Sequence, residues 1–85
     1  MGELDGVWKV EPLPWVTKRI AGDRGETRIG RLAGVPFRVR GRDLVYPTGL
    51  FVDRLEPDGD GYRLTALLAG RRIARFRLRR LQPLS

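Results

Sequence analysis

Apolar and polar residues alternate along most of this chain, in short stretches separated by glycine and proline. The clearest stretch is 71–81, where Ala74, Phe76 and Leu78 alternate with arginines. Alternation with a period of two is typical of strands with one buried face. Glycine and proline interrupt the chain too often for a helix of ten or more residues. The pattern therefore predicts an all-β protein.

The turn residues divide the chain into eight predicted strands with short connections. They cover about residues 6–11, 15–21, 26–32, 37–40, 44–46, 50–55, 62–69 and 72–81. Short strands at regular spacing are typical of an up-and-down barrel or a sandwich. Because no connection is long enough for a Greek-key crossover, we predict a single antiparallel up-and-down β-barrel over residues 1–85. Its eighth strand should pair with its first.

Composition limits the chemistry that is available. The 85 residues are 41% hydrophobic, as in a folded domain, and include neither cysteine nor histidine. Disulfides, thiolate nucleophiles and the commonest general base are therefore excluded. Glu56, Asp58 and Asp60 have the spacing of calcium ligands, but Pro57 and Gly59 favour a hairpin turn. We expect no enzyme activity, no cofactor and no metal site.

The formal net charge is +7, and arginine carries nearly all of it. Two predicted strands place arginines in rows on their solvent faces, through Arg38 and Arg40 in one and Arg75 and Arg77 in the other. Such rows suit an anionic polymer such as nucleic acid. A base composition that favours arginine is the alternative explanation for the charge.

No apolar run reaches the length of a membrane span. The segment Met1-Gly2-Glu3 is not a basic region followed by an apolar stretch, as a signal peptide would be. From these two features we expect a cytoplasmic protein.

The alternating pattern also predicts which side chains face the interior. The aromatic candidates for the wall of a ligand site are Trp8, Phe37, Tyr46, Tyr62 and Phe76. An eight-stranded barrel either is filled by its side chains or holds one small ligand, and both alternatives remain open.

Two polar positions have an ambiguous phase. In the second strand either Val16, Lys18 and Ile20 or the alternate set with Arg19 faces inward; in the second case Arg19 would bind a ligand carboxylate. Asp53 shares the phase of apolar neighbours and is expected to pair with Arg54 or a cross-strand arginine.

The first strand opens with Gly6-Val7-Trp8. This Gly-x-Trp resembles the start of the first strand in the calycins, the group that contains lipocalins and fatty-acid-binding proteins. In lipocalins an arginine late in the last strand packs across that tryptophan. Here Arg80 has the inward phase and is the matching residue, so Gly6, Trp8 and Arg80 would close one end of the barrel.

The resemblance implies that the protein binds a small apolar or amphipathic molecule inside the barrel, without catalysis. The first alternative is binding of nucleic acid by the arginine rows. The second is a structural barrel with a filled core that forms oligomers through Val7, Leu67 or Ile73.

Overall fold

The strands form one closed antiparallel barrel in a computed structural model that describes residues 2–32 and 34–82. Each strand pairs with the next along the chain, and the last pairs with the first. No helix occurs in the described residues. The prediction of an all-β up-and-down barrel of eight strands is therefore confirmed. The strands are β1 (Gly6–Glu11), β2 (Val16–Ala21), β3 (Arg24–Ile29), β4 (Val35–Arg40), β5 (Asp43–Val45), β6 (Phe51–Asp58), β7 (Gly61–Leu68) and β8 (Arg71–Gln82).

Two strands differ most from the predicted boundaries: β3 covers 24–29 instead of 26–32, and β6 continues past Leu55 to Asp58. Pro57 is accommodated because β5 pairs with β6 only as far as Arg54, so the missing N–H of the proline leaves no ladder bond unmade. The turn to β7 then contracts to two residues, Gly59 and Asp60. Gly59 has a φ of 62°, which glycine adopts without steric cost.

The alternating strand directions give the barrel two different ends. The start of β1, the end of β8 and the connections 22–23, 41–42 and 59–60 lie at one end, which we call the capped end. The connections 12–15, 46–50 and 69–70, and the described residues 30–32 and 34 between β3 and β4, lie at the other, which we call the rim end. A chain of short hairpins distributes its connections in this way because every second one returns to the same end.

The apolar core lies inside the barrel and is densest near the capped end. Its fully buried large side chains are Trp8, Ile20, Leu44, Leu64 and Leu78. The phase of β2 is the one that buries Val16 and Ile20, and Arg19 points outward. This arrangement keeps the exposed guanidinium in water, where it needs no buried partner. Among the described residues, no helix combines the length and the apolar character needed to cross a membrane.

Candidate functional site

Arg80 and Trp8 lie together at the capped end. The two residues are cross-strand partners in β8 and β1, and the guanidinium carbon of Arg80 lies 4.2 Å from the centre of the indole ring. The guanidinium also donates to the backbone carbonyls of Glu3 (3.1 Å) and Asp5. The indole N–H in turn donates to the carbonyl of Leu4 at 2.8 Å. The N-terminal turn is thereby fastened across the end of the barrel.

Gly6 is required where the N-terminal turn enters β1. Its φ is 142°, a conformation that residues with a side chain rarely adopt. The Gly-x-Trp pattern therefore has a local cause, since glycine allows the chain to fold back over the barrel while Trp8 enters the core.

Two of the other predicted wall residues pack in the core rather than around a free space. Tyr62 meets the Trp8 ring edge to face at 5.4 Å, and its hydroxyl donates to Glu3 at 2.6 Å. Burial, together with this carboxylate, raises the pKa of Tyr62. Phe76 is half-buried against the same core. These residues hold the capped half of the barrel together.

A polar cluster of Lys18, Thr27, Tyr46 and Asp53 lies inside the barrel, on four different strands or their ends. The Lys18 ammonium donates to Thr27 Oγ1 (2.6 Å), the Tyr46 hydroxyl (2.8 Å) and Asp53 Oδ2 (2.8 Å). The Tyr46 hydroxyl also contacts Thr27 Oγ1 at 2.6 Å and Asp53 Oδ2 at 3.0 Å. All three ammonium donors have partners, which is the condition under which a charged group can be buried.

The electrostatics of this polar cluster follow from its burial. Loss of water lowers the pKa of Lys18, and the Asp53 carboxylate opposes that change. Burial and the same carboxylate raise the pKa of Tyr46, so that its phenol stays protonated. The Lys18 ammonium also lies 5.5 Å from the ring centres of Phe37 and Tyr46. The polar cluster is thus a closed set of donors and acceptors beneath two aromatic rings.

The same two residues line a surface gap between β4 and β5, with Tyr46 half-buried and Phe37 only 3% exposed. These strands pair over only three residues on each side, ending with Arg38 opposite Val45. Continuing the register would set Pro36 opposite Pro47 at the next hydrogen-bonded position. Neither residue has an N–H to donate, so pairing cannot continue. The strands separate there.

The gap forms a pocket of about 580 Å³, which we call the wall pocket. Its floor and sides come from Phe37, Tyr46, Pro36, Pro47 and Gly25, among other residues. The Phe37 and Tyr46 rings meet edge to face at 5.5 Å. A β-carbon on Gly25 would collide with the backbone carbonyl of Arg19 in β2 and lie 2.6 Å from the Phe37 ring, so glycine at this position allows both to approach closely.

Two arginines lie at the entrance of the wall pocket. Arg24 in β3 and Arg38 in β4 are direct cross-strand partners, both exposed, and both line the pocket. Within the described residues, neither forms an ion pair with a carboxylate. Two like charges held side by side without a counter-charge repel each other, and an anion between them would relieve that repulsion.

Two sequence expectations need correction. Arg19 does not line the interior, because its exposed position on the outer face leaves Lys18 as the inward cation of β2. Asp53 pairs with Lys18 rather than with Arg54, which instead binds the exposed Asp43 at 3.1 Å. The usable signal was that Lys18 and Asp53 each share a strand phase with buried apolar residues while carrying opposite charges.

The structure separates the two arginine rows. Arg38 and Arg40 lie on β4, whereas Arg75 and Arg77 lie on β8, on strands that are not adjacent. Arg77 is held by Asp58 at 2.9 Å and Asp60 at 3.2 Å. The row on β8 is therefore partly neutralised.

The described residues contain no group of three acidic, histidine or cysteine side chains placed to hold a metal ion. Comparisons of the chain with protein-family models, with curated proteins and with solved structures found no match.

Proposed function

We propose that the protein binds a small amphipathic molecule with an anionic group, non-covalently, in the wall pocket. The observation that carries the proposal is the gap between β4 and β5, which is lined by the half-buried Tyr46, the buried Phe37, Arg24 and Arg38. Ligand sites are mostly apolar clefts of about 300–1,000 Å³ with a few placed polar groups. The wall pocket has this size and character.

The chemistry of the pocket supports an amphipathic ligand. Phe37, Tyr46 and the two prolines offer flat apolar surface to a hydrocarbon or ring. Arg24 and Arg38 offer paired donors to a carboxylate or phosphate, which a planar guanidinium binds in a bidentate manner. A neutral apolar compound would use only the first of these two features.

Binding without chemistry is the activity that we propose. The polar cluster under the wall pocket has matched donors and acceptors, and none of its side-chain atoms is buried without a partner in the described residues. Lys18 is buried and held by three acceptors, which leaves it no free position for attack on a ligand. The polar cluster serves in this proposal to hold the Tyr46 ring in place.

We also propose that the barrel is a shortened calycin. The support is the combination of the Gly6–Trp8 motif with Arg80, whose guanidinium lies on the indole and on backbone carbonyls of the preceding turn. In this proposal the ligand position differs from that of a lumen site, because the capped half of the interior is filled by side chains.

The test is a titration with decanoate followed by two-dimensional NMR, with decanol as the neutral counterpart. We expect decanoate to shift the amide signals of Gly25, Phe37 and Tyr46 before those of the capped end. Decanol should shift the same signals at higher concentration, since it lacks the charge. Arg24→Gln and Arg38→Gln should each weaken decanoate binding by up to about fivefold, the effect of one exposed ion pair, and leave decanol binding unchanged.

Arg75→Gln is the matched control, because it removes one exposed arginine from the far side of the barrel. Arg75→Gln should leave the affinities for decanoate and for decanol unchanged. Saturable shifts confined to other residues, or none at the solubility limit of decanoate, would refute the wall pocket as the site. Equal losses in all three variants would mean that decanoate responds only to net charge.

A second candidate function is binding of single-stranded nucleic acid along β3 and β4. It is favoured by the continuous set of Arg24, Arg38 and Arg40, which have no carboxylate partner in the described part of the chain. For single-stranded nucleic acid, the logarithm of the binding constant falls linearly with the logarithm of the salt concentration, with a slope of about −0.7 for each phosphate bound. Losing Arg38 and Arg40 should lower that slope, whereas Arg75→Gln should not change it.

A further inference from the structure

We propose that the rim end docks on an anionic lipid surface and lies on the bilayer without crossing it. The proposal is independent of the wall pocket, since it rests on the distribution of apolar and charged side chains between the two ends of the barrel.

Exposed apolar side chains are concentrated at the rim end. Among the described residues nine large apolar side chains are exposed, and eight of them lie there, while Leu81 alone lies at the capped end. The four most exposed are Leu32 (68%), Trp15 (57%), Leu50 (55%) and Ile73 (53%). Ile29, Val35, Phe51 and Leu68 have the inward phase of their strands but emerge at the rim, where the barrel interior ends. A concentration of this kind on a monomer marks an interaction surface.

Charge also differs between the two ends: the rim end has an excess of arginine, whereas charges of both signs occur at the capped end. The rim connections 12–15, 46–50 and 69–70, together with residues 30–32 and 34, contain no acidic residue, and Arg31, Arg71 and Arg72 lie in or beside them. The capped end shows no such excess, because Glu3, Asp5, Asp23 and Asp60 in its N-terminal turn and connections are accompanied by Arg42, with Arg24, Arg40 and Arg80 beside them. Glu11, which ends β1 at the rim, is bound by Arg79 at 3.3 Å.

These two distributions together fit an anionic bilayer. Apolar side chains enter the boundary between headgroups and acyl chains, and flanking arginines contact the acidic headgroups. Trp15 has the amphipathic ring that is enriched at this depth in membrane proteins. The capped end, where charges of both signs are mixed, would face away from the membrane, so the excess of arginine at the rim end also orients the protein.

A second copy of the chain fits the rim less well. Two rims placed face to face would bring Arg31, Arg71 and Arg72 of each copy against one another, and like charges without counter-ions repel. A rim placed against the capped end of a second copy would meet charges of both signs, and the apolar residues Leu4 and Trp8 are buried there, so the apolar rim would remain unmatched.

The experiment measures binding of the intact protein to vesicles of equal parts phosphatidylglycerol and phosphatidylcholine, and to vesicles of phosphatidylcholine alone, by sedimentation. We expect binding to the anionic vesicles that weakens with salt, and little binding to the neutral ones. Trp15 emission should shift to the blue and become protected from acrylamide. Trp8 is 1% exposed and supplies a constant background.

Variants locate the docking surface. Each of Arg71→Gln and Arg72→Gln should weaken partitioning about fivefold, because each basic residue near an anionic surface contributes a similar free energy of binding. The two effects multiply, so the double variant should weaken partitioning on the order of 30-fold. Leu32→Ser and Leu50→Ser should each weaken it roughly fivefold through lost apolar burial. Leu81→Ser at the capped end and Arg63→Gln near it are the matched controls and should bind as the parent does.

Three results would overturn the proposal. The first is no sedimentation with anionic vesicles at low salt. The second is equal weakening by the rim variants and their capped-end controls, which would indicate attraction by net charge alone. The third is evidence that the rim serves another partner. That evidence would be either concentration-dependent dimerisation abolished by Leu32→Ser or Leu50→Ser, or oligonucleotide binding that displaces the vesicles and depends on Arg71 and Arg72.

Discussion

The buried ion pair of Lys18 and Asp53 gives the sharpest prediction about stability. Lys18→Met would leave the Asp53 carboxylate inside the barrel with only the Tyr46 hydroxyl to contact it. Asp53→Asn would leave the Lys18 ammonium without its counter-charge. Removing one partner of a buried pair costs about 3–5 kcal/mol, because the remaining charge is uncompensated and cannot reach water.

That loss is large for a chain of this length. At roughly 0.05–0.15 kcal/mol per residue, 85 residues give a free energy of unfolding of about 4–13 kcal/mol. Each single variant should therefore lower the melting temperature by at least about 12 °C, at about 4 °C for each kcal/mol. The loss from one substitution is thus a large fraction of the total free energy of unfolding.

Replacing both partners should behave differently. In the double variant Lys18→Met/Asp53→Leu both charges of the polar cluster are replaced by apolar side chains. The Thr27 and Tyr46 hydroxyls, 2.6 Å apart, remain hydrogen-bond partners of each other. A buried pair replaced by apolar residues is often neutral or stabilising. We therefore expect the double variant to be more stable than either single one.

The assay is urea unfolding followed by tryptophan emission and by circular dichroism. The dependence of the free energy of unfolding on urea concentration should be the same in all variants, so that a change in the midpoint reports a change in stability. The exposed pair of Arg54 and Asp43 is the matched control, since it joins adjacent strands with the same charges in water. Asp43→Asn should cost far less, because water screens an exposed pair. If Asp53→Asn is no worse than Asp43→Asn, or if the double variant loses the sum of the two single losses, the reasoning from burial is wrong.

Three further predictions concern the capped end, the polar cluster and the wall pocket. Arg80→Lys should keep the charge but lose the two-carbonyl contact and part of the stacking on Trp8, for a loss of about 1–2 kcal/mol in urea unfolding; a variant as stable as the parent would show that the guanidinium shape is not used. Burial and the Asp53 carboxylate raise the pKa of Tyr46 above the ordinary 10.0. Above pH 10.0 the Tyr46 phenol therefore loses its proton in the unfolded chain but keeps it in the folded one. The free energy of unfolding should therefore fall as pH rises above 10.0, less steeply in Tyr46→Phe, and parallel pH curves for the two proteins would contradict this. Gly25→Ala should push against the Arg19 backbone carbonyl and the Phe37 ring, destabilise the barrel and shift the NMR signals of both residues, whereas unchanged stability and unchanged ring signals would show that the site has room for a methyl group.

Much of the fold follows from local patterns in the sequence. The period-two alternation of 71–81 defines β8 and its inward face, and glycines with prolines separate the other strands. Connections too short for a crossover leave the meander and its closure as the simplest arrangement. The phase that sets Arg80 inward is also local, and in the structure Arg80 lies over Trp8.

The candidate site depended on contacts between strands that the sequence pattern does not specify. Lys18 and Asp53 are 35 residues apart, and although each shares the phase of apolar neighbours, neither local pattern identifies the other as its partner. Their meeting depends on the register of the intervening strands. Pro36 and Pro47 read separately as turn residues, and they open the wall pocket only because the register of β4 and β5 sets them opposite each other.

The sequence by itself therefore determined the strands, their alternation and the order in which they pair, because these follow from nearest-neighbour properties of the chain. The tertiary structure decided which charges are buried, where the barrel wall opens, and that the exposed apolar side chains share one end. Those features arise from register and closure, which bring together residues distant in sequence, and no local pattern encodes such neighbours.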